Sequence, residues 1–191
     1  HRLVVETLEV PGAEGVAWSG IIPRKAMVQL AKQLDGVEVL TLGISYQRLM
    51  HIQAGAFALT SRLIEGNYPN WRALVPQKAP ANALTVSREE LSAAVKRAAL
   101  VTTNGNVALD YTESGATITA KSAEHGEAHE ELAGSYSGTP FRTGFQADYI
   151  SETLGALDGE AVVLQQDGPT GALLMIDPAG PHSRAYVMSI R

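Results

Sequence analysis

A repeat constrains this chain more than any other feature. "QLDGVEVLTLG" (Gln33 to Gly43) is echoed by "ALDGEAVVLQQ" (Ala156 to Gln166). Each stretch follows a helical pattern and opens a strand, so one supersecondary unit is used more than once and each copy needs a neighbour to bury its apolar face. Ahead of the first echo, "PRKAMVQLAKQL" places Ala26, Met27, Leu30 and Leu34 on one helical face, with Pro23 suited to the first helical position. Ahead of the second, "ADYISETLGAL" sets Tyr149, Ile150, Leu154 and Leu157 at helical spacing. Gly36 and Gly159, just past each pattern, suit a left-handed C-cap.

A third helix is expected in "SREELSAAVKRAAL", where Ser87 and Glu90 have the spacing of a capping box. It leads into the strand-like runs "NVALDY" and "ATITAKS", which turn at Gly115. Further alternation appears in "RLVVETL", "AFALTSRL", "EAHEELAG" and "SRAYVMSI". Three short helices among many antiparallel strands predict an α+β fold in which helices line one face of curved sheets. Pro69, Pro76 and Pro80 stiffen the segment from Gly66 to Pro80, which marks the expected domain junction, with Tyr68 and Trp71 plugging the seam.

Composition narrows the function. The 191 residues suffice for one large or two small domains. With no cysteine, disulfides and thiolate metal sites are excluded, and a reducing cytoplasm is favoured. No apolar run approaches a membrane span, and no signal peptide is visible. The opening "HRLVVETLEV" lacks a Met and reads as mid-strand, so a cut-down or processed fragment is expected.

His125 and His129 stand four apart in "EHGEAHEE", as in helical zinc motifs, but Gly126 replaces the glutamate such a motif needs and the segment alternates like a strand. A solvated acidic edge strand, not a metal site, is the expectation there. "DGPTG" lacks the Lys and spacing of a phosphate loop, and Ser, His and Asp fall in no nucleophile arrangement, so neither cofactor nor catalysis is expected. Against a formal net charge of −5, the basic residues Arg24, Lys25 and Lys32 in the first helix and Arg88, Lys96 and Arg97 in the second stand out. Basic helices inside and acidic sheets outside would reconcile that total with a DNA partner, although ordinary solvated helix faces carry such charges too.

Four collinear stretches then become familiar. "SRLIEGNYPNWRALVP" resembles the strand-to-linker signature between the middle and last domains of the bacterial DNA polymerase III β subunits, the sliding clamps. "REELSAAVKRAAL" is similar to the first helix of their last domain, the opening "HRL" to a segment of the middle domain, and "AYVMSIR" to the C-terminus. The resemblance implies residues 1–72 as a partial middle domain and 73–191 as a complete last domain. It also implies a non-catalytic protein of three similar domains per subunit, in which two subunits close head to tail around duplex DNA. Such a ring tethers the polymerase III catalytic subunit, the clamp loader and other partners; this chain alone lacks the first domain that the ring interface needs. A stand-alone peptide-binding adaptor, or a divergent paralogue that forms no ring, is the alternative.

Carried over by position, the partner-peptide pocket of that family falls on His1, Arg2, Leu3, Pro69, Leu74, Tyr149, Tyr186, Val187, Met188, Ser189, Ile190 and Arg191. The six basic helix residues would face DNA through phosphates, without sequence preference. Leu100, Val101, Glu127, Glu130 and Glu131 would belong to the ring interface. The chain departs from the pattern at Ser189, where a Pro is usual, at Ala73, at Gln146, and in ending on Arg191 with no following Leu.

Overall fold

The computed structural model describes residues 1–10, 13, 15, 17–76, 78–180 and 182–190, without the side chain of Leu74. The expected positions Leu74 and Arg191 therefore lie outside what is described of side chains. By its contacts the chain forms two compact units, Val10–Leu74 and a larger one made of His1–Glu9 with Val75–Arg191.

Strand β1 (Arg2–Glu6) opens the chain and belongs to the larger unit. The smaller unit follows with helix α1 (Arg24–Ala31) and strands β2 (Leu40–Ile44), β3 (Leu49–Ala54) and β4 (Phe57–Arg62). The three strands form one antiparallel sheet in that order, so β2 and β4 are its edges. Ala26 and Leu30 of α1 pack with Met50, Ile52 and Leu63 as a small core. Ile21, just before the helix, bridges to Ile64, just after β4.

The larger unit continues with β5 (Asn82–Ser87), α2 (Arg88–Ala99), β6 (Asn106–Thr112), β7 (Gly115–Ser122), β8 (Gly126–Ala133) and the short β9 (Ser135–Ser137). Then come β10 (Arg142–Gln146), α3 (Ala147–Leu154), β11 (Ala161–Gln166), β12 (Leu173–Ile176) and β13 (Ser183–Val187). One sheet runs β1-β13-β12-β11-β5-β9 and the other β10-β6-β7-β8. All pairings are antiparallel. Two modules share this unit, each a leading strand, a helix and three further strands. The leading strands are exchanged: β5 of the first module pairs with β11 of the second, and β10 of the second pairs with β6 of the first. Helices α2 and α3 pack together and bury Leu91, Val95, Ile150 and Leu154 against Val107, Leu109, Val162 and Leu164. The α+β architecture expected from the sequence is the one observed.

The start of α2 is fixed as expected: the Ser87 side chain accepts a hydrogen bond from the Glu90 N–H at 3.3 Å. Three local expectations differ. Pro23 is the N-cap in extended conformation (ψ 133°), not the first helical residue. Gly36 is left-handed (φ +71°), but α1 already ends at Ala31, so this glycine shapes the turn toward β2 and does not cap the helix. Gly159 is not left-handed, and α3 ends at Leu154 with Gly155 as its C-cap. Position 159 requires glycine for space, because a Cβ there would collide with the Asp177 carboxylate.

Candidate functional site

At the open end of the six-stranded sheet, β1 pairs with β13, so Arg2 lies opposite Val187 and Leu3 opposite Tyr186. The chain past β13 is strapped on both sides. The Met188 N–H donates to the His1 carbonyl at 2.8 Å, and the Ile190 N–H donates to the Gly144 carbonyl at 2.8 Å. A terminal segment that would ordinarily fray is thus held in an extended path between β1 and β10.

Tyr149, on α3, is the centre of what gathers there. The His1 ring lies nearly parallel to it at 6.1 Å between centroids, and the Arg2 guanidinium sits over it at 4.5 Å. Arg2 also pairs with Glu152, one turn further along α3, at 2.6 Å. Both partners are well exposed, so the pair orients Arg2 more than it stabilises the fold. Of the tail residues, Met188 is 40% exposed while Ser189 and Ile190 are half-buried. Gln146 turns its amide into the adjacent turn, donating to Asn106 Oδ1 at 2.6 Å. Ile190 also lines an open groove of about 550 Å³ with Asn106, Arg142, Thr143 and Pro169, which the sequence did not suggest.

Two expected pocket residues are buried within the chain. Val187 is fully buried in the core of the larger unit, and Tyr186 is 6% exposed, flanked on its sheet by Leu3 and Leu174. Strand alternation sends Ala185 and Val187 inward, which leaves Met188 as the first apolar tail residue free to meet a ligand. Pro69 belongs to the smaller unit, where it lines a groove of about 1040 Å³ together with Trp18, Tyr68, Trp71 and Arg72. Tyr68 is largely exposed and the Arg72 guanidinium stacks on Trp71 at 4.5 Å, so neither aromatic is a buried plug within its own unit.

The basic residues divide by helix. Arg24, Lys25 and Lys32 are exposed, and at ~100° per residue they fall within about 100° of one another, opposite the buried Ala26 and Leu30. On α2 the expected common face breaks up. Arg88 donates its Nε–H to the Gly159 carbonyl at 2.6 Å, and Arg97 is bound to Glu130 on β8. Nine positions apart, they point to opposite sides of the helix, ~180° from each other. Only Lys96 of the three is exposed without an ion pair among the described residues.

Leu100, the C-cap of α2, is 83% exposed, and Val101 is half-buried. The neighbouring β8 is the outer strand of its sheet. On it Glu127 pairs with Lys121 at 2.8 Å, Glu131 is exposed, and Glu130 turns toward α2. Arg97's hydrogen bonds hold the Glu130 carboxyl below its ordinary range and raise Arg97 in turn. His125 and His129 lie in and beside this exposed edge strand, and no group of three or more metal-ligating side chains occurs among the described residues.

Interlocked helix-and-strand modules with exchanged leading strands, repeated along the chain, define the clamp class of fold. Family models agree: that for the C-terminal domain of the DNA polymerase III beta subunit matches residues 72–191, and that for its central domain matches residues 1–70. The chain therefore belongs to the DNA polymerase III beta subunit family, the bacterial sliding clamps. It is 30% identical over its whole length to the beta sliding clamp of Caulobacter vibrioides, covering 52% of that protein. With the beta sliding clamp of Escherichia coli K12 it shares 32% identity over 98% of the chain, covering 51% of that protein. It spans about half the length of these relatives. The crystal structure of the DNA polymerase sliding clamp from Caulobacter crescentus superposes on the whole chain and 51% of that structure, with a TM-score of 0.90 at 28% identity. The Bacillus subtilis sliding clamp, at 24% identity and a TM-score of 0.93 over the whole chain and 51% of that structure, shows the fold alone.

Proposed function

We propose that this chain is the part of a sliding clamp that docks partner peptides and contributes to a ring around duplex DNA. Residues 1–72 are the partial central domain and 73–191 the C-terminal domain. The complete ring is a homodimer that holds the polymerase III catalytic subunit, the clamp loader and other factors on DNA, without catalysing a reaction, in the cytoplasm. The observation that carries this reading is the strapped tail. Backbone hydrogen bonds from Met188 to His1 and from Ile190 to Gly144 hold an exposed Met next in the strap to His1, whose ring stacks on Tyr149. A flexible thioether suits a surface that must accept several ligands, and an extended peptide with a Gln and Leu or Phe anchors fits the apolar and aromatic groups on offer.

The test is a fluorescence-anisotropy titration of such a peptide. Affinity around micromolar is expected for the native chain, with a loss of at least tenfold for Met188→Asp at unchanged melting temperature. Equal affinity for both would remove the docking role. A second reading, a peptide-binding adaptor with no DNA role, is favoured by Arg88 and Arg97 being engaged within the fold. Salt-dependent binding of this chain to duplex DNA would count against it.

A further inference from the structure

Between α2 and β6 the chain turns through Thr102, Thr103, Asn104 and Gly105. Of the five asparagines in the sequence, Asn104 alone is followed by glycine; Asn67, Asn70, Asn82 and Asn106 precede Tyr68, Trp71, Ala83 and Val107. An asparagine amide can be attacked by the backbone nitrogen of the next residue, and a Cβ on that residue obstructs the approach. Gly105 has no Cβ, and at φ +73° it holds a conformation that other residues rarely adopt. Asn104 is exposed, so water reaches it.

The two ends of the Asn104 amide are held unequally. Its Oδ1 accepts hydrogen bonds from the Thr102 hydroxyl at 2.7 Å and from the Asn106 N–H at 3.1 Å. The Asn106 N–H can only donate, which fixes the oxygen and not the nitrogen on that side. Asn104 Nδ2 and the Gly105 N–H have no partner among the described residues. Asn82 differs: Nδ2 donates to the Gln166 carbonyl at 2.9 Å, and Oδ1 accepts from the Thr139 N–H at 2.9 Å.

We propose that Asn104 is a site of spontaneous covalent modification, converted through a cyclic imide to aspartate and isoaspartate. The Gly105 nitrogen, losing its proton to solvent base, forms a bond to Asn104 Cγ. Negative charge gathers on Oδ1, where Thr102 and Asn106 already aim their donors. The Cγ–Nδ2 bond then breaks, and Nδ2 takes a proton from solvent and leaves as ammonia. Water opens the imide at either carbonyl. One opening gives aspartate. The other gives isoaspartate, in which the former main-chain carbonyl becomes a side carboxylate and the chain runs through Cβ. That product disturbs α3, because the Asn104 carbonyl accepts from Gln146 Nε2 at 3.2 Å and the Gly105 carbonyl from the Ala147 N–H at 2.8 Å. Both contacts hold the start of the helix that carries Tyr149. The modification itself is independent of the docking and DNA roles.

The test is to incubate the folded 191-residue chain at mildly alkaline pH and follow its tryptic peptide 98–121, which holds Asn104 and Asn106, by mass spectrometry. A gain of about one mass unit, the difference between ammonia lost and water added, is expected at residue 104. An isoaspartate-specific methyltransferase should label the aged chain and not the fresh one. In the folded chain Thr102→Val should slow the gain by about threefold or more, the rate equivalent of one modest hydrogen bond, and Thr102→Ser should restore it. In urea the native chain and both variants should age alike. Absence of a gain at residue 104, an earlier gain at another asparagine, or a folded Thr102→Val chain that ages at the native rate overturns the proposal.

Discussion

Arg97 grips Glu130 with two parallel hydrogen bonds, Nη2 to Oε2 at 2.6 Å and Nε to Oε1 at 3.0 Å, tying helix α2 to the outer strand of the four-stranded sheet. The fork geometry gives direction as well as attraction. It also neutralises one expected DNA-facing cation and one expected interface acid against each other.

This pair titrates in a defined sense. Glu130 is held below its ordinary range in the folded chain, so its contribution to stability is present above the unfolded-state pKa and disappears as pH falls through the lowered folded value. Following the Glu130 side-chain carbon by NMR between pH 6 and about 2 should give a titration below that of an ordinary glutamate. In Arg97→Gln the midpoint should return upward, and the part of the acid-side loss of stability that this pair causes should disappear.

On the proposed DNA role, the cations expected to count are those left free. Replacing Lys25 and Lys32 with Glu should weaken binding uniformly across sequences and lower the slope of log affinity against log salt by about 2. Arg97→Gln should change that slope far less, because Arg97 is already paired. Binding measured from about 50 to 200 mM salt checks both expectations.

Tyr111 carries a buried hydroxyl with no hydrogen-bond partner among the described residues, its ring packs against those of Tyr136 and Phe141, and burial raises its pKa. Removing an unpartnered buried hydroxyl removes a desolvation cost. Tyr111→Phe should therefore leave stability unchanged or raise it by about 1 kcal/mol, read from urea denaturation.

Two neighbours in the tail should behave oppositely. Val187 is fully buried and Met188 is not. Val187→Asp places an unpaired charge in the core and should unfold the larger unit, while Met188→Asp should leave the melting curve in place. Parallel thermal melts distinguish them.

The repeat and the helix faces were legible because their periodicity is strong, and Ser87 carried a start signal that the structure uses. The leading strands were harder to read. β5 runs directly into α2 at Arg88 and β10 into α3 at Ala147, with no turn residues to separate them. β12 is a short continuous apolar run, Leu173 to Ile176, which periodicity cannot assign. At the candidate site, resemblance brought His1, Arg2 and Tyr149 to one place, and the structure joins them. It could not separate Val187 from Met188, because that depends on which face of β13 meets the core. Nor does the spacing of Arg88, Lys96 and Arg97 show which of them the rest of the fold already holds.

Strand β1 lies against β13, so residue 2 is paired with residue 187. On the ribosome the larger unit cannot complete its six-stranded sheet until β13 has been translated. The contacts within Val10–Leu74 are available far earlier. Strand β1 must wait for β13, a partner far along the chain. That interval of exposure, more than the stability of the finished sheet, sets when this chain is most open to mispairing during synthesis.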